Sequence, residues 1–82
     1  MNVAAIKDIM RTKQYISIAD IKVLTGCSTN EARKLRISVL ETYLPMAIGL
    51  GLKTKIRLDK FLEYYNNKEL LELYHDMIKG AE

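Results

Sequence analysis

The sequence predicts a mainly α-helical domain: a helix-turn-helix followed by a short β-hairpin wing, with additional helices at the N- and C-terminal ends. Three observations predict it. Apolar residues recur at helical spacing in several separate segments. Two of these segments are joined by a turn of about three residues that contains Gly26 and Ser28. A Gly-containing stretch ending in strict alternation follows them. The chain has 82 residues, which suits one domain over 1–82 and excludes a (β/α)8 barrel or a doubly wound dinucleotide fold. Leu, Ile, Val and Phe supply 24 of those residues, too many for a disordered tail.

The elements follow in order. Within 1–13, Val3, Ile6, Ile9 and Met10 share one side of an N-terminal helix, with Lys7, Asp8 and Arg11 elsewhere. The helix-turn-helix spans 17–44. Its first helix starts where SIAD offers Ser17 as a cap with Asp20 three residues on, a weak form of the capping box. Ile18, Ile21, Val23 and Leu24 form its apolar face, and Gly26 ends it. STNE is the better capping box by residue type: Ser28 caps and Glu31 reaches back. The second helix runs over 29–43, with Ala32, Leu35, Val39 and Tyr43 on one stripe that Leu40 widens. Pro45 disfavours a helical Leu44 and closes it.

The wing hairpin is expected over 46–58, with a short first strand at 46–48. In its second strand Lys55, Arg57 and Asp59 point one way, and Thr54, Ile56 and Leu58 the other. Asp59 is placed to cap a helix through Phe61, Leu62, Tyr64 and Tyr65. Asn66 and Asn67 interrupt or recap it, and a last helix covers 68–79, so the C-terminal helices span 59–79.

Charge divides the chain. Residues 1–60 hold eleven basic and five acidic groups, and residues 61–82 hold two and five. The overall net charge of +3 therefore combines a +6 body with a −3 end. A basic body suits a polyanion, and in a helix-turn-helix the second helix is the reading element. Thr29, Asn30 and Arg33 are expected at base edges in the major groove of double-stranded DNA, Arg33 by a bidentate bond to guanine. Ser28 can bond a phosphate or a base edge, and the unpaired N–H groups of the first turn favour a phosphate. Lys34, Arg36, Lys53, Lys55 and Arg57 are expected to hold the DNA backbone.

Taken singly, each cluster reads more plainly as a solvated face or an edge strand charged against aggregation. DNA is favoured because both clusters lie on the two elements a winged helix presents together. Roughly five phosphate contacts give a slope of about −4 to −5 in log K against log salt, weak for a monomer. Assembly is therefore expected. Leu70, Leu73, Tyr74, Met77 and Ile78 either pack back on the core or pair copies as a homodimer or cooperative array through 68–79.

Other chemistry has little footing. His75 is the single histidine and Cys27 the single cysteine, so no disulfide or Cys-based zinc site is expected. GLGLKT lacks the spacing of either nucleotide loop. No catalytic residue, metal or cofactor is expected, and no enzyme activity. No apolar run approaches the ~20 residues that span a bilayer. The opening residues show no signal-peptide pattern, and a lone Cys27 suits a reducing cytoplasm.

The stretch 17–65 resembles the small excisionase-type domains of bacteriophages and integrative elements, relatives of the MerR winged-helix group. The matching pieces are LTGCS at 24–28, Leu44-Pro45, GLGLK at 49–53 and IRLDKFLEYY at 56–65. The resemblance implies a DNA-binding protein of mobile-element type in the cytoplasm of a bacterial host. Such proteins bend DNA and steer an integrase toward excision, and some regulate transcription. An integrase or another protein would then be a second partner. The alternative is a protein-binding adaptor or inhibitor of phage origin that uses the same fold without DNA contact. The acidic end and the apolar stretch 46–52 motivate it.

Overall fold

The computed structural model of the chain describes residues 2–46 and 55–80. In chain order the elements are α1 (Val3–Thr12), β1 (Tyr15–Ile16), α2 (Ile18–Thr25), α3 (Thr29–Tyr43), β2 (Ile56–Arg57), α4 (Leu58–Tyr65) and α5 (Lys68–Gly80). The molecule is mainly helical, with one small antiparallel sheet among the described residues.

Local side-chain chemistry starts four of these helices. The Ala5 amide donates to Asn2 Oδ1 at 3.1 Å, Asp20 to Ser17 Oγ at 3.4 Å, Glu31 to Ser28 Oγ at 3.2 Å and Leu70 to Asn67 Oδ1 at 3.1 Å. Each bond satisfies an amide that the helix leaves unpaired. The two expected capping boxes exchange rank. SIAD is complete, because the Ser17 amide also donates to Asp20 Oδ2 at 2.9 Å. In STNE only the Ser28 half forms, and Glu31 is exposed. The difference lies in Lys13, whose Nζ donates to Asp20 Oδ1 at 2.7 Å and pins the carboxylate where it can reach back.

Helix ends follow the expected breakers. Gly26 closes α2 with φ 72°, a left-handed conformation that a Cβ disfavours. Leu44, before Pro45, closes α3 in a non-helical conformation. Asn66 adopts φ 49° after α4, and Asn67 then recaps the chain into α5.

Three expectations are corrected. Met46, assigned to a first hairpin strand, is helical, as is Pro45; the rest of that strand and the turn, 47–54, lie outside the described residues. The second strand is only Ile56–Arg57, and its observed partner is β1, paired Tyr15 with Arg57 and Ile16 with Ile56. Ile16 and Ile56 are both buried at that pair, so core burial sets the register. Asp59 does not cap α4: the helix already begins at Leu58, and Arg57 holds the cap position without a side-chain bond. Leu58 is pulled in because its amide donates to the Gln14 carbonyl at 2.9 Å while its side chain is buried.

The core gathers Ile6 and Ile9 of α1, Ile21 and Leu24 of α2, Ala32 and Val39 of α3, Phe61 and Leu62 of α4, and Leu70 of α5. Phe61 is fully buried and stacks on Tyr65 with ring centroids 5.5 Å apart. The last helix packs back onto α1: Leu70 is buried, and Leu71, Leu73, Tyr74 and Met77 are partly covered against the core. Ile78, expected on the same stripe, is exposed. Tyr43, Tyr65 and Tyr74 lie at the core edge, whereas Tyr15 and Tyr64 are exposed.

Candidate functional site

The 3.6-residue period of α3 separates its two faces. Ala32, Val39 and Leu40 are buried, while Asn30, Arg33, Lys34, Ile37 and Glu41 are exposed. Thr29 and Asn30 stand exposed in the first turn, beside amides with no helical partner. Ser28 lies exposed just ahead of them and accepts the Glu31 amide. Its hydroxyl hydrogen can still be donated outward.

A groove of about 630 Å3 runs between the start of α2 and the middle of α3. Arg33, Arg36 and Ile37 line it from α3, Ser17, Ile18 and Ala19 from α2, and Lys55 from the residue before β2. Arg36 is half-buried at the edge of the apolar stripe, as its position in the helix predicts. Arg33 and Lys55 are exposed and make no ion pair among the described residues. Two uncompensated cations beside a third basic side chain give this groove a positive field.

The other expected contacts divide. Lys34 faces a different cleft, of about 330 Å3, with Cys27, Glu31, Leu35, Ser38 and Tyr65. It therefore flanks the groove instead of lining it. The compact basic set expected from Lys53, Lys55 and Arg57 does not stand as a triplet. Lys53 lies outside the described residues. Arg57 is held in a fork by Asp59, Nε to Oδ1 at 3.1 Å and Nη2 to Oδ2 at 3.0 Å. Arg57 ends β2 and Asp59 lies in the first turn of α4, and their pairing cancels much of the Arg57 charge. Lys55 alone of the three meets the α3 cations.

Ser17, Ile18, Ala19 and Ile37 are the groove residues that sequence reading did not single out. Ile37 was legible as an apolar residue off the buried stripe. The α2 contribution was not, because it depends on how the two helices cross.

One ionisable group beside the groove is displaced from its ordinary behaviour. Burial pushes the Asp20 carboxyl up, but hydrogen bonds from Lys13 and from the Ser17 amide and hydroxyl outweigh it. Together with the Lys13 charge they hold Asp20 below the usual carboxylate range. It anchors the start of α2 and thereby Ser17 to Ala19.

Elsewhere, His75 is exposed on α5, and Cys27 is half-buried with Thr25 Oγ1 at 2.9 Å from its sulfur. No group of three or more His, Cys, Asp or Glu side chains stands together among the described residues. No helix among them is long and apolar enough to cross a membrane. No protein-family profile, curated protein or solved structure matches this chain. The class that fold and site define is thus a small, mainly helical domain with a two-stranded antiparallel sheet and a basic groove.

Proposed function

We propose that this chain is a small sequence-specific DNA-binding protein of winged helix-turn-helix type. In this reading α2 and α3 are the helix pair, the short sheet closes the domain behind them, and α3 enters the major groove. Arg33, with Asn30 and Thr29, contacts base edges; Ser28, Lys34, Arg36 and Lys55 hold phosphates. Lys53 belongs to the same backbone set, and Arg57 contributes least because Asp59 holds it. The observation that carries the reading is the groove in which Arg33 and Lys55, without carboxylate partners among the described residues, meet Arg36. The resemblance of 17–65 to excisionase-type domains supports a role in recombination or transcription of a mobile element in a bacterial cytoplasm.

The test is titration of labelled duplexes by fluorescence anisotropy at rising salt. Roughly four phosphate contacts give a slope of about −3 to −4 in log K against log salt. A flat salt dependence, or unchanged affinity in Arg33→Ala, overturns the reading.

A second reading, a protein-binding adaptor or inhibitor, draws on the residues just after α3, where Leu44 is 48% and Met46 72% exposed. It requires no duplex affinity at low salt, and capture of a protein partner that Met46→Glu abolishes.

A further inference from the structure

Ile37 stands out within the proposed DNA face. It is a large β-branched side chain, 45% exposed, in the groove that Arg33, Arg36 and Lys55 make basic. Single exposed apolar residues are ordinary on protein surfaces. This one is distinguished by its setting, since the groove's field selects a polyanion and Ile37 adds nothing to that attraction. Its position on α3 is equally specific. Asn30, Arg33 and Ile37 stand at i, i+3 and i+7, all exposed, and form one stripe along the helix. Four residues of helix rise about 6 Å, and stacked base pairs about 3.4 Å. A side chain four positions beyond Arg33 therefore reaches one or two base pairs away from the base that Arg33 meets.

The major groove presents hydrogen-bond donors and acceptors on every base pair, and one apolar group, the C5-methyl of thymine. An aliphatic side chain placed against any other base edge would bury a polar atom without a partner. We infer that Ile37 is a specificity-determining residue that selects thymine, through its methyl group, one or two base pairs from the guanine bound by Arg33. This rests on the DNA-binding reading above. It deepens that reading by naming what the uncharged part of the face recognises.

The experiment separates the two. The full chain selects its preferred duplex from a randomised pool, and the affinity of that duplex is measured with each thymine in turn replaced by deoxyuridine, which lacks only the methyl. For wild type, one such replacement lowers affinity about fourfold, the worth of one buried methyl-sized group. For Ile37→Ala, the same replacement has no effect and the thymine duplex itself binds more weakly. Ile37 is exposed, so the variant folds, and its far-UV circular dichroism should match wild type. Duplex binding that needs Arg33 but shows no methyl dependence overturns the Ile37 assignment alone. A fourfold methyl effect that survives Ile37→Ala overturns it too, since another group would then read the methyl. Failure to enrich or bind any duplex overturns both readings.

Discussion

Helices α3 and α5 are built on the same plan and end with opposite surfaces. Both are amphipathic, of 15 and 13 residues, and both bury one apolar stripe. The outward face of α3 carries Asn30, Arg33, Lys34 and Ile37, whereas that of α5 carries Glu69, Glu72, His75 and Asp76. The more telling difference is compensation. Asp76 shares a cleft with Lys7 and Arg11 of α1, whose charges are opposite to its own. Arg33 shares its groove with the like-charged Arg36 and Lys55, and no carboxylate lines that groove. Helical period identifies a core-facing stripe equally well in both. The distribution of partners, and not amphipathicity, marks which opposite face has a field to offer a ligand.

The largest expected effect breaks the α5 side. Leu70 is 1% exposed and ties α5 to the core, so Leu70→Ala should cost about 2–5 kcal/mol in urea unfolding. A loss below that range would mean that α5 contributes little to the domain. The contrast in function is tested by Arg33→Ala against Glu72→Ala. The first should weaken duplex binding by about 1–3 kcal/mol, and the second should leave it nearly unchanged in the same anisotropy assay. Equal effects would remove the distinction between the two faces.

Smaller effects concern two ion pairs, Lys13–Asp20 and Arg57–Asp59. Asp20 is buried with its pKa depressed, so its contribution is fully present above the ordinary carboxylate value and is lost as pH falls through the lower folded value. Asp20→Asn should cost about 1–2 kcal/mol at neutral pH, and should flatten the loss of stability on acidification. An acid profile identical to wild type would show that the capping box is not the titrating element. The Arg57–Asp59 pair is about half exposed on both sides, and Arg57→Ala should shift stability by about 0.2–1 kcal/mol at most. It should also lower duplex affinity less than Lys55→Ala does, because Asp59 already occupies the guanidinium.

Much of the helical framework was legible because helix boundaries are local events. Ser17, Gly26, Ser28 and Leu44 before Pro45 each act within a turn of their own position, and α2 and α3 begin and end where those residues stand. The strand β1 was not legible. Tyr15–Ile16 is too short to show a period, and it exists because Ile56–Arg57 comes alongside. The helix α4 was legible through Tyr65, but not its start at Leu58, which follows from a bond to the Gln14 carbonyl and from burial of the side chain. Within the candidate site, the α3 residues were readable from helical spacing alone. That Lys55 would meet them, that Ser17 to Ala19 would form the opposite wall, and that Arg57 would be claimed by Asp59 were not.

The residue order thus sufficed for where helices begin, which faces they bury and where the positive charge concentrates, since caps act within one turn, and period and composition are read along the chain without knowing which segments meet. Folding in three dimensions settled which charges remain available. The field of a cation is cancelled or kept by whatever stands within a few ångströms, and for Arg33, Lys55 and Arg57 those neighbours come from other elements of the fold.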